Sequence, residues 1–150
     1  MSIVKDDFTI STDKTSLDIP FIHQYLTRSY WAEGIPEKTV KKAIEGAVCF
    51  GMYHAGKQIG FARLITDSAT FAYLADVFID ESYRGRGLSK WLMDVIMKHE
   101  SVQGLRRFML ATRDAHGLYS QFGFSALTNT DRWMHIHDPD VYKRSVKNEE

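Results

Sequence analysis

Residues 47–79 abandon the helical spacing that precedes them, take up the two-residue alternation of strands, and run through a pair of glycines into another helix. AVCFGMYHAGKQIGFARLITD reads as two strands, with Ala55-Gly56 supplying a turn between His54 and Lys57. TFAYLADVFID follows a short Asp67-Ser68 turn and reads as a long third strand. Three antiparallel strands therefore form a meander in the middle of the chain, and the rest must pack around it.

The flanking patterns supply the layers. FTISTD (Phe8–Asp13) alternates and predicts a strand. Between Leu17 and Tyr30, Phe21, Ile22, Tyr25 and Leu26 recur at helical spacing. A second helix starts at Pro36, a favoured first-turn residue, with Val40, Ala43, Ile44 and Ala47 on its inner face. After the meander, residues 85–99 predict a helix with Leu88, Trp91, Leu92, Val95 and Ile96 on one side. RRFMLAT predicts a strand. Asp114 to Gln121 predicts a short helix capped by Asp114 and stopped by Gly123, and FSAL and WMHIH predict two closing strands. The order β-α-α-β-β-β-α-β-α-β-β implies a mixed sheet with helices on both faces.

Neither a repeat nor a Pro/Gly linker divides the 150 residues, so the expectation is one domain over 1–150. A formal net charge of zero offers no basic field for nucleic acid. No apolar run is long enough for a membrane span, and MSIVKDDFTIST lacks the pattern of a secretory leader. The single cysteine, Cys49, lies in an apolar run and reads as a small buried core side chain; the expected setting is reducing and cytoplasmic. The charged tail VKNEE is expected to fray.

DESYRGRGLSKWLMDV carries the chemistry. A helix start leaves N–H groups without partners and is the positive end of the macrodipole, so phosphates bind there. Glycines let backbone approach a ligand closely, and Arg84 and Arg86 add donors suited to phosphate. The stretch reads as a pyrophosphate cradle. It lacks the Gly-Lys-Ser/Thr of a Walker loop, and Lys90 stands where the dinucleotide fingerprint needs its third Gly or Ala.

VFIDESYRGRGLSKWL followed by LYSQFGF resembles the GNAT superfamily of N-acetyltransferases. The family's Gln/Arg-x-x-Gly-x-Gly/Ala loop falls on residues 82–87, with Ser82 in place of the usual Gln or Arg. SYWAEG, GFARLITD and FAYLADVFI together look like a bacterial-type branch. The resemblance implies a mixed, mostly antiparallel α/β sheet of six to seven strands with a splayed central strand pair. It implies acetyl-CoA as the donor, with Arg84, Gly85, Arg86, Gly87, Leu88 and Ser89 around the pyrophosphate. The backbone of Val77, Phe78 and Ile79 would pair with the pantetheine arm, in an edge opened where this strand splays from RRFMLAT. Tyr119 of LYSQFGF matches the tyrosine that commonly protonates the departing thiolate. An asparagine frequent near the start of that helix is absent; Arg113, Asp114 and His116 stand there.

Alternation along TFAYLADVFID places Ala72, Leu74, Asp76 and Phe78 on one face, which makes Asp76 a candidate base or substrate anchor or, paired with Arg63, a structural carboxylate. Tyr30, Trp31 and Glu33 fall where the family builds its acceptor pocket; aromatic walls with one acid suit a small amine. Arg63 and Arg132 would instead suit a carboxylated acceptor. His135 and His137 share a strand face, but with only the loop acids Asp138 and Asp140 near them they read as edge polarity and not as a metal site. His116, three residues before Tyr119, is a candidate secondary proton relay. The implied function is acetyl transfer from acetyl-CoA to a primary amine of a small molecule, directly, in a ternary complex. A non-catalytic CoA-sensing or partner-binding module and a protein-lysine or N-terminal acetyltransferase are the other readings. Relatives are often homodimers through their C-terminal strands, so the expected partners are a small-molecule amine and a second copy, without nucleic acid or membrane.

Overall fold

The computed structural model describes residues 1–144. A hairpin of β1 (Ser2–Lys5) and β2 (Phe8–Ser11) opens the chain, followed by α1 (Ile19–Thr27) and α2 (Glu37–Glu45). The meander is β3 (Val48–His54), β4 (Lys57–Thr66) and β5 (Phe71–Ile79). Then come α3 (Leu88–Lys98), β6 (Arg107–Leu110) and α4 (His116–Ser120). The six strands form one sheet in sequence order, antiparallel except for the parallel β5–β6 pair.

Local chemistry explains the boundaries. The Asp18 carboxylate accepts from the Phe21 N–H and caps α1, and Pro36 opens α2. Ala55 and Gly56 both have positive φ, which the two-residue β3–β4 hairpin requires. Two apolar layers cover the sheet. Ile22, Leu26, Val40 and Ile44 of α1 and α2 bury Phe61 and Phe78 on one face. Leu88, Leu92, Met93, Val95 and Ile96 of α3 bury Ile10, Phe50, Leu64 and Leu74 on the other. Cys49 is 1% exposed, and burial pushes its thiol up to about 11, so it is inert packing as expected.

Three expectations are corrected. β1 is absent from the sequence reading because all four of its residues are exposed and leave no apolar alternation; Asp6, at positive φ, makes the turn that pairs it with β2. The N-cap of α4 is Ala115 instead of Asp114, with Thr112 Oγ1 accepting from the Ala115 N–H. FSAL and WMHIH are not strands, because among the described residues no neighbouring backbone pairs with them, and β6 is left as an edge there. The tail VKNEE lies outside the described residues. Among the described residues no helix is long and apolar enough to cross a membrane.

Candidate active site

A bulge in β5 creates the site. Phe61 pairs with Phe78 but Arg63 pairs with Ala75, so β5 holds one residue more than β4 across this interval. Asp76 takes the strain at φ +56, a conformation that aspartate tolerates better than most side chains. The extra residue breaks the strict alternation expected along this strand. Ala72 and Leu74 pack under α3, whereas Phe78 crosses to the α1–α2 layer and Ile79 joins the α3 layer. Asp76 and Phe78 therefore do not continue the face of Ala72 and Leu74.

The same bulge opens the sheet. Pairing of β5 with β6 covers Phe71 to Leu74 and stops there. Beyond it, Phe78 and Ile79 still pair with β4, but β6 no longer meets their other edge. A cleft of about 980 Å³ fills the gap, lined by Val77–Ile79, the glycine loop, Tyr30 and Trp31, and Tyr119. An unpaired strand edge beside a cleft is a template for an extended, amide-bearing ligand.

At one end of the cleft, Gly85 and Gly87 have φ of +81° and +74°, flanking Arg86. Successive N–H groups then converge, and Gly87 caps α3 without a side chain over its first-turn amides. A Cβ on either glycine would meet no protein atom within 4 Å, so the backbone angle alone requires glycine and the space beside the loop stays open. Gly87→Val forces a β-branched residue to positive φ; we expect a loss of about 1–3 kcal/mol in denaturant unfolding. Leu88, Ser89 and Arg84 also line the cleft. The Arg84 guanidinium donates to Tyr25 Oη at 2.9 Å. Arg86 is exposed and stacks on the Tyr83 ring at 5.1 Å. Ser82, in the turn before the loop, donates its hydroxyl to Asp80.

Tyr119 reaches the cleft from α4 and is 9% exposed. Burial first, then the neighbouring Tyr30 and Asp114, raise its phenol above the usual tyrosine value. It therefore carries its proton throughout the neutral range, as a general acid must. Facing it is an aromatic wall. Tyr25 stacks on Phe78 at 3.8 Å, Trp31 packs edge-on to Tyr30, and Arg113 lies 3.9 Å over the Tyr30 ring.

The remaining named residues divide. Asp76 accepts from Trp31 Nε1 at 2.9 Å through one oxygen and from Arg63 Nε at 2.8 Å through the other. Arg63 is thereby committed to Asp76 and stands behind the wall, not in the cleft lining. Glu33 is exposed and also lies outside that lining, as does Arg132 in the 130–132 turn. His116 lies outside the cleft lining too and borders a second cavity. Tyr25, Arg28, Arg113 and Asp114 line the cleft and were missed. Tyr25 and Arg28 come from α1 and its C-cap and Arg113 and Asp114 from the segment between β6 and α4, so the four meet only in the folded chain; the Arg113 N–H donates to the hydroxyl of Tyr30, 83 residues away.

The family model of the GNAT acetyltransferase domain matches residues 45–126, which hold the meander, the bulge, the glycine loop and Tyr119. A protein of Gibberella zeae assigned the name of an acetyltransferase is 30% identical over 140 residues, covering 78% of each chain. A crystal structure from Xanthomonas campestris pv. campestris, assigned to the GNAT acetyltransferases, is 48% identical with a TM-score of 0.88, covering 90% of this chain and 96% of that one. A Clostridium acetobutylicum crystal structure with acetyl-CoA shares the fold at 14% identity and a TM-score of 0.60, covering 87% and 94%. With the splayed β5–β6 pair and the glycine loop in their places, the chain belongs to the GNAT family of acetyltransferases.

Proposed function

We propose that this acetyltransferase takes its acetyl group from acetyl-CoA and passes it directly to a primary amine of a small molecule while both are bound. The observation that carries the reading is the meeting, in one cleft, of an unpaired β5 edge, a positive-φ glycine loop and a protonated phenol. Acetyl-CoA supplies an activated thioester. The free edge of Val77–Ile79 is suited to the amides of its pantetheine arm. The N–H groups of residues 85–89 and the Arg84 guanidinium are suited to its pyrophosphate. Tyr119 holds the proton that the leaving sulfur needs, and its burial keeps that proton in place until transfer.

The acceptor enters against Tyr30 and Trp31. Both oxygens of Asp76 are engaged, so its role here is to fix Trp31, and hence the wall, against β5. The attacking amine then loses its proton to water in the open cleft. Such a mechanism predicts a rate that rises with pH as the amine becomes neutral. It falls only at alkaline pH beyond the ordinary tyrosine range, because the phenol titrates above it.

Calorimetric titration with acetyl-CoA tests the donor. Micromolar binding is expected, and Arg84→Ala with Arg86→Ala should weaken it about tenfold or more, since charge-assisted contacts to phosphate are the strong ones. A folded protein that does not bind acetyl-CoA would overturn the reading. Binding without turnover against a broad amine panel would favour a CoA-sensing module instead.

A further inference from the structure

Two guanidinium groups face the acceptor end of the cleft without a counter-ion. Arg84 and Lys90 line the cleft from the glycine loop and α3, with Glu81 in the turn before them, so these three belong to the phosphate end. Arg28, Arg113 and Asp114 line it from the C-cap of α1 and from the segment between β6 and α4. Their common neighbour is Tyr30, on the wall against which the acceptor enters.

Both groups are fixed in place and left open. The Arg113 guanidinium lies 3.9 Å over the Tyr30 ring, and the Arg113 backbone N–H donates to the Tyr30 hydroxyl at 3.2 Å. A guanidinium stacked in this way keeps the donors in its plane for a ligand. Arg28 Nε donates to the Gln24 carbonyl at 2.8 Å, which ties the side chain to the last turn of α1 and leaves its two terminal nitrogens unused. Neither arginine forms an ion pair among the described residues, although Asp114 follows Arg113 directly in the chain. Arg63, by contrast, is bound to Asp76, and Arg132 stands outside the cleft lining.

The planar fork of a guanidinium matches the two oxygens of a carboxylate. Asp114 supplies the opposite sign close to Tyr119, whose phenol it helps to raise. The amine must come to that place, because the leaving sulfur takes its proton from Tyr119. Two cations against one acid match a single extra negative charge, which favours a carboxylate over a doubly charged phosphate.

On the basis of the acetyl transfer proposed above, we infer that the acceptor is a free amino acid, its carboxylate held by Arg28 and Arg113 and its amino group drawn toward Asp114. An amine without the carboxylate leaves both cations uncompensated and binds more weakly. The two arginines bind and orient the acceptor and take no part in moving the proton, so their loss is read in the KM of the amino acid.

Initial rates with acetyl-CoA on free amino acids, each paired with its own carboxamide, test this. Each pair shares a side chain and an amino group and differs by one charge. The carboxylate makes the neighbouring amine more basic, so a faster acid cannot owe its rate to a more readily neutral amine. For the best amino acid, kcat/KM should exceed that of its amide by about tenfold or more, the usual worth of a charge-assisted contact. Arg28→Gln with Arg113→Gln should erase the preference, while calorimetric affinity for acetyl-CoA stays within about a factor of two. Equal rates on acid and amide overturn the inference, as does a preference that survives the double variant. So does faster acetylation of a peptide N-terminus or of an aminoalkyl phosphate. Lost acetyl-CoA affinity in the double variant would assign the arginines to the donor instead. A protein that binds acetyl-CoA but acetylates no free amino acid refutes this acceptor and leaves the donor reading standing; one that binds no acetyl-CoA overturns both.

Discussion

Tyr119→Phe is expected to lower kcat by about 10²-fold, the lower range for loss of a positioned general acid. The affinity for acetyl-CoA should stay within about a factor of two, because the ring remains and only the hydroxyl is lost. The asymmetry follows from the site. The ring packs near Phe124 and is 9% exposed, so phenylalanine keeps the packing. Steady-state kinetics with a fixed acceptor, paired with acetyl-CoA calorimetry on the same preparation, read the two effects separately. The wild-type alkaline limb should disappear in the variant if the phenol causes it. Unchanged kcat would remove Tyr119 from the proton path and leave protonation of the thiolate to water.

Asp76→Ala is expected to cost about 3 kcal/mol of stability, the range for an ion pair that loses one partner in the interior. The side chains of Asp76 and Arg63 are 9% and 18% exposed, so the unpaired guanidinium has little water to replace the carboxylate. Alanine also tolerates the +56° φ of the bulge less well than aspartate. Trp31 loses its hydrogen bond to β5, and the KM for the acceptor should rise more than the KM for acetyl-CoA. Asp76→Asn separates positioning from base catalysis. It retains an acceptor for Trp31 Nε1 and suits the positive φ, so a positioning role predicts near-normal kcat. A general base would instead lose kcat by orders of magnitude in the Asn variant, well beyond the stability that variant loses with its Arg63 ion pair. Urea unfolding and initial-rate kinetics on both variants distinguish these outcomes.

The meander, the helix after the glycines and the sidedness of α1, α2 and α3 were legible because each is a local pattern. Ala55-Gly56 makes its turn through its own dihedrals, and Leu88, Leu92 and Ile96 share a face through helical spacing alone. The glycine loop was legible for the same reason: positive φ at Gly85 and Gly87 is a requirement that two residues state by themselves. The bulge was not. An extra residue in β5 exists only relative to the register of β4, and it moved Phe78 to the opposite layer from the one that alternation implied. FSAL and WMHIH failed for a related reason. Their sequences are those of strands, but a strand is defined by the backbone beside it, and among the described residues no such neighbour lies there.

The sequence by itself therefore determined most of the elements, the positive-φ glycine loop and the tyrosine of the short helix, because these rest on side-chain periodicity and backbone preference within a few residues. Only the tertiary structure decided that Asp76 is bound to Arg63 and Trp31, that Arg113 and Tyr25 join the cleft, and that β6 stands last in the sheet among the described residues. Those are facts about which surfaces meet across 13 to 83 residues of chain, and pairing at that range is fixed by the packing of the whole sheet.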